Sequence, residues 1–206
     1  MTNWIPLDVN FKGTRNYLHS TNIWDAVAEH CLETFSGAEN LPDAQLDIVF
    51  KRIMHNKVEL WLGASPAPKD PNMVAQIVLK LPDGRKQVGL LRDTGIRITE
   101  RIVDMEDTLQ PDVELSAEAA TYKAPPIISL SQIYVAMIKF WHQAKVDNDC
   151  KWLATRLQLP LACLKAKPSE IEIKPTTILK DGAGSINMVR SKGAGSTDGR
   201  IYFFKS

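Results

Sequence analysis

The chain has 206 residues, of which 44% are hydrophobic and 24% charged. That is ordinary for a globular protein and long enough for one large domain or two of about 100 residues. Its 25 basic residues nearly balance 24 acidic ones, so no global field argues for nucleic acid or an anionic membrane as partner. Cys31, Cys150 and Cys163 are widely spaced and form no CxxC pair, which argues against a disulfide framework or a zinc knuckle. Cys31 and Cys163 read as small core residues. The N-terminal stretch does not read as a signal peptide, and no apolar run is long enough to span a membrane. The expectation is a cytoplasmic protein with no membrane partner.

Trp4 to Leu7 reads as a short extended segment and Gly13 to Ser20 as a polar loop. Ser20, Thr21 and Asn22 are all good N-cap types. Ile23, Val27, Cys31 and Phe35 then fall on one stripe, flanked by Trp24, Ala28 and Leu32. The spacing predicts a helix over 21–35, with Gly37 as its stop. Residues 46–62 read as two strands joined at His55-Asn56-Lys57. The segment 64–72 carries three prolines and reads as a loop. Two apolar runs flank Pro82-Asp83-Gly84-Arg85, a hairpin signal. Residues 96–105 alternate Ile96, Ile98 and Ile102 against Arg97, Thr99 and Arg101, as a strand does. These are antiparallel signatures, which disfavour a Rossmann-type sheet.

Residues 106–112 read as the seam between halves, giving domains 1–110 and 111–206. The stretch 112–122 reads as extended. Pro125-Pro126 precedes a second helix over 127–145, striped by Leu130, Ile133, Met137, Phe140, Trp141 and Ala144 and widened by Tyr134, Val135 and Ile138. A helix this apolar all round is usually buried, for instance wrapped by a sheet. Strand-like runs follow at 152–164, 170–180, 185–190 and 200–204. The sequence GAGS occurs twice, at 182–185 and 193–196. Neither copy has the Lys-Ser/Thr of a phosphate loop, so both read as turns in a hairpin with one long connection.

Each half therefore reads as a short strand, one long buried helix and an antiparallel meander, about half a chain apart. That order resembles the hotdog fold, in which a curled sheet wraps a central helix and units work as dimers or fused pairs. The resemblance implies an α+β protein of two hotdog-like halves. It also implies acyl-thioester chemistry, since the best-known hotdog enzymes are acyl-thioester hydrolases and hydroxyacyl-thioester dehydratases. The partner would be an acyl thioester of coenzyme A or of acyl carrier protein, with no cofactor and no metal. A fused double unit can stand as a monomer or pair through its sheet edges as a homodimer.

The loop entering the first helix reads Arg15-Asn16-Tyr17-Leu18-His19-Ser20-Thr21-Asn22-Ile23-Trp24-Asp25. It is similar to the thioesterase pattern in which His and Asn lie just ahead of the helix and an aromatic follows. The resemblance places the family's His on His19, its Asn on Asn22 and its acid on Asp25 or Glu29. This favours hydrolysis over dehydration. The glycine that often precedes the family's His is missing, as is the proline-glycine entry of dehydratases. The second-half equivalent, Lys123 to Tyr134, holds no His, Asp or Glu, so at most one half keeps catalytic residue types.

Each candidate also has a plainer reading. His19 can serve as acid, base or water-orienting group beside a carbonyl, or merely cap the helix. Asp25 and Glu29 share a helix face and can supply a general base, or they complement the helix dipole. Arg15, Arg97 and Arg101 can meet the phosphates of a phosphopantetheine or nucleotide tail, or they are ordinary surface charges. Tyr17 and Trp24 are substrate-lining candidates, and Trp24 equally suits a core. His30 and His142 lack any metal-ligand spacing. A second outcome is a non-catalytic module that binds an acyl ligand or a protein.

Overall fold

The computed structural model describes residues 3–63, 66–147, 149–193 and 196–206. The proline-rich loop and the second GAGS turn thus lie partly outside the described residues. The chain divides into two compact units, Met1–Asp104 and Met105–Ser206. Both are mixed α/β, with an antiparallel sheet and one α-helix each. No helix among the described residues is long and apolar enough to cross a membrane.

In the first unit the chain runs β1 (Ile5–Pro6), β2 (Phe11–Lys12), α1 (Ser20–Thr34), β3 (Gln45–Phe50), β4 (Asn56–Gly63), β5 (Met73–Lys80), β6 (Lys86–Arg97) and β7 (Arg101–Ile102). The strand order is β1-β4-β6-β5-β3, antiparallel throughout. Period-2 alternation gives this sheet its apolar face, with Leu46, Ile48, Leu60, Leu79 and Leu91 fully buried. The turn at 82–85 forms as the sequence suggests. Gly84 has φ +87° and the Asp83 carboxylate accepts a hydrogen bond from the Arg85 N–H at 2.9 Å.

Three expectations in this unit need correction. Helix α1 starts one residue earlier than the periodicity suggests. Its N-cap is His19, extended at φ −78°, ψ 136°, and none of Ser20, Thr21 or Asn22 fills that place. The reason is tertiary: Leu18 is buried and its N–H donates to the Met54 carbonyl at 2.8 Å. That contact fixes where the extended chain ends. Next, β3 and β4 are joined over 51–55 and do not pair with each other; β3 pairs with β5 and β4 with β6. The Lys51 N–H bonds to Val74, continuing the β5 side. Finally, 96–105 is not one strand. Ile96 and Arg97 end β6, beyond a register shift that takes in Gly95 (φ +73°), and Arg101–Ile102 form β7, which pairs parallel with β2. Only Ile98 of the three isoleucines is buried, while Ile96 is 59% exposed.

The second unit opens with a 3-10 helix over Glu106–Asp112. Then come β8 (Val113–Leu115), β9 (Ala120–Tyr122), α2 (Leu130–Lys145), β10 (Trp152–Pro160), β11 (Glu170–Ile178), β12 (Gly184–Lys192) and β13 (Asp198–Lys205). Its strand order is β10-β13-β12-β11-β9-β8, again antiparallel. The run 152–164 is strand only as far as Pro160; Leu161–Leu164 coil into a 3-10 turn. Eleven of the 16 residues of α2 are buried. Each large apolar side chain among them stabilises the fold by roughly 1.5–3 kcal/mol.

Candidate functional site

The loop entering α1 is tied down from several sides. The Arg101 guanidinium donates to the carbonyls of Gly13 (3.0 Å) and Arg15 (2.6 Å). His55 Nδ1 donates to the Asn16 carbonyl at 2.7 Å. Arg15 itself forms an ion pair with Asp104, and the buried Lys12 ammonium lies 3.8 Å from the same carboxylate. Tyr17 is half-buried in the same loop.

The loop delivers His19 to the N-cap. His19 Nδ1 lies 2.8 Å from the Thr21 hydroxyl. The His19 carbonyl accepts the first intrahelical bond, from Ile23 at 3.3 Å. The N–H groups of Ser20, Thr21 and Asn22 therefore have no partner within the helix and, with the helix dipole, favour negative charge at this end.

Asn22 occupies the third helical position. In a capping box a side chain there reaches back to the N-cap N–H. Here both amide atoms, Nδ2 and Oδ1, are buried and make no hydrogen bond among the described residues. Trp24, wholly buried, leaves its indole Nε1 in the same condition. A buried polar group left this way costs about 1–3 kcal/mol, and two occur within one turn of one helix end.

Asp25 follows Asn22 by three residues on the same face and is half-buried, whereas Glu29 is exposed. Glu29 lies about 6 Å further from the helix start along the axis. Arg15, Tyr17 and His19 thus lie on the loop, Asn22 in the first turn of α1, Trp24 and Asp25 in its second, and Glu29 a turn further on. Further along α1, burial pushes the Cys31 thiol up to about 12, so it is inert. Sequence reasoning took Thr21 as a cap and missed it as the partner of the His19 ring. It also missed Asp104 as the partner of Arg15, because the two lie 89 positions apart.

The corresponding end of α2 is built differently. Ser129 is its N-cap, and the Ser129 and Ser131 hydroxyls lie 3.0 Å apart. Of the remaining histidines, His30 bonds to Thr34 on the surface of α1, and His142 is buried on α2. No group of three or more His, Cys, Asp or Glu among the described residues could hold a metal ion.

No protein-family model and no curated protein matches the chain in sequence. Solved structures do match in fold. The tesB protein of Mycobacterium avium subspecies paratuberculosis superposes with a TM-score of 0.51 at 6% identity, over 96% of this chain and 91% of that one. The dehydratase domain of the polyketide PpsC from Mycobacterium tuberculosis gives 0.51 at 8% identity, over 92% and 84%. The pyran synthase domain from module nine of the sorangicin pathway gives 0.52 at 9% identity, over 95% and 91%.

The fold is similar to the hotdog fold. At such identities the hotdog likeness carries the architecture and leaves the chemistry to the residues themselves.

Proposed function

We propose that the chain is a double-hotdog protein, each unit being one half, that hydrolyses acyl thioesters of coenzyme A or of acyl carrier protein. The observation that carries this reading is the Asn22 amide, buried and unpartnered at a helix start that His19 caps. A fold rarely leaves such a group without a use for it. An amide offers both a donor and an acceptor, which suits a bound water beside a carbonyl.

In this mechanism the first-turn N–H groups of α1 hold the thioester carbonyl oxygen. Water, positioned by Asn22 and His19, attacks the carbonyl carbon while Asp25 takes its proton. The tetrahedral oxyanion is stabilised by the same N–H groups. The C–S bond then breaks, the thiolate leaves and takes up a proton, and the free acid remains. Asp25 is preferred to Glu29 because it is half-buried and nearer the helix start. Arg15 serves by holding the loop to Asp104. Tyr17 and the buried Trp24 flank the acyl group. The free thiols of Cys31, Cys150 and Cys163 suit a reducing setting.

The test is release of free thiol from a panel of acyl-coenzyme A substrates. Loss of turnover in both His19→Ala and Asp25→Asn supports the assignment; turnover retained in either removes that residue from the mechanism. A second reading, a non-catalytic module that binds an acyl ligand, is favoured by the α2 entry, where paired serines stand in place of an acid. It predicts that coenzyme A or fatty acids raise the melting temperature with no turnover.

A further inference from the structure

The first unit contains a cavity of about 540 Å³ lined by Phe11, Asn16, His55, Asn56, Arg97, Ile98, Thr99 and Arg101. Its size falls in the range of small-molecule sites, roughly 300–1,000 Å³. Two guanidiniums and an imidazole line it, and no carboxylate does. The nearest acid in the β4–β6 pairing, Asp93, is turned to other work: it accepts hydrogen bonds from the Asn56 amide at 3.1 Å and the Gly95 N–H at 2.7 Å.

The cations are available. Arg97, at the end of β6, is exposed, and its guanidinium makes no hydrogen bond or ion pair among the described residues. Arg101 uses its Nη1 on the Gly13 and Arg15 carbonyls. A guanidinium has five N–H donors, so its Nε and Nη2 remain. His55 donates Nδ1–H to Asn16, and in that tautomer Nε2 is an acceptor, suited to a ligand hydroxyl such as that of a phosphate monoanion. Phe11, under the Arg101 guanidinium at 5.4 Å, and buried Ile98 supply an apolar wall.

We infer that this cavity binds a phosphate ester, with Arg97 as its principal anchor and Arg101 and His55 beside it. Guanidiniums match the geometry of phosphate oxygens, and charge-assisted bonds of this kind are the strong ones. Asn16 lines the cavity three residues before His19, so one loop serves both places. The identity of the ester rests on the acyl-thioester reading: it is the phosphate-bearing end of the thioester carrier. The cavity itself does not depend on that reading.

The experiment is calorimetric titration of the whole chain at low salt, wild type against Arg97→Ala. Arg97 is exposed and unpaired, so its removal leaves the fold intact, which a melting curve checks. The probes are coenzyme A, dephospho-coenzyme A, 4′-phosphopantetheine and pantetheine. We expect 4′-phosphopantetheine to bind tighter than pantetheine, or coenzyme A tighter than dephospho-coenzyme A. The first result assigns the phosphate that carrier protein and coenzyme A share, the second the one that coenzyme A alone carries. In either case Arg97→Ala weakens that binding about tenfold or more, and added salt weakens it in the wild type.

Equal binding of phosphorylated and unphosphorylated probes, or an unchanged affinity in Arg97→Ala, overturns the inference. If the phosphate effect appears without any thioester turnover, the cavity stands and the hydrolase reading falls. If turnover is found with an Arg97→Ala KM equal to that of the wild type, the reverse holds.

Discussion

His19 Nδ1 lies 2.8 Å from the Thr21 hydroxyl across the first turn of α1. Thr21 is fully buried, so its side chain is a fixed point against which the half-buried ring is oriented. Thr21→Val keeps the shape and removes the hydroxyl. The expected result is a fall in kcat of about tenfold or more, the scale of a misoriented acid–base group. Thr21→Ser, which restores a hydroxyl, recovers part of the loss. Steady-state kinetics of the two variants checks this.

The Asn22 amide costs stability as it stands, since neither atom has a partner among the described residues. Asn22→Leu replaces it with an apolar group branched at the same carbon. The expected gain is roughly 1–2 kcal/mol, from removing the buried unsatisfied atoms. In a chain of this length that is a rise of several degrees in Tm. A differential scan of the variant measures it, and a lower Tm contradicts this view of the site.

His142 makes stability depend on pH. Its ring is fully buried, 4.2 Å from the Trp152 ring and 5.7 Å from that of Phe203. Burial holds its pKa below the ordinary value, against the opposing pull of the Ile138 carbonyl. The unfolded chain, with its imidazole near 6.5, therefore binds the proton more readily than the folded one. Stability is full above that pH and declines as pH falls through it toward the lower folded value. Urea unfolding near pH 7.5 and near pH 5.5 should show a drop in midpoint that is smaller in His142→Phe. The same replacement removes the unpartnered Nε2.

The first GAGS segment owes one glycine to packing. A Cβ at Gly184 would lie 2.6 Å from the Phe203 carbonyl oxygen and 3.0 Å from the Phe204 ring. Backbone cannot give way as a side-chain tip does. Gly184→Ala should cost about 1–3 kcal/mol, as overpacking does, read as a lower denaturant midpoint.

The sequence shows its helices through periodicity, because each has one large apolar surface to bury; α2, apolar nearly all round, is the clearest case. The hairpin at Gly84 is equally local. What depends on distant chain is hidden. Three cap-type residues in a row cannot reveal that the Leu18–Met54 contact makes His19 the cap. Alternating isoleucines at 96–102 look like one strand, yet Ile96 belongs to the end of β6 and Ile102 to β7, which takes β2 as its partner. The candidate loop is legible because its residues are contiguous. Its supports, Asp104, Arg101 and His55, lie 39 to 89 positions away from the residues they hold, and no local pattern announces them. The isolation of Asn22 is likewise a property of its surroundings and not of its letter.

The most direct test of the account is thioester hydrolysis by the wild type and by Asn22→Leu, followed as free thiol from acetyl- to palmitoyl-coenzyme A. We expect turnover of at least one acyl length by the wild type. That turnover should be lost in Asn22→Leu, with the variant folded. Undiminished turnover in Asn22→Leu, or none by the folded wild type at any length, contradicts this expectation.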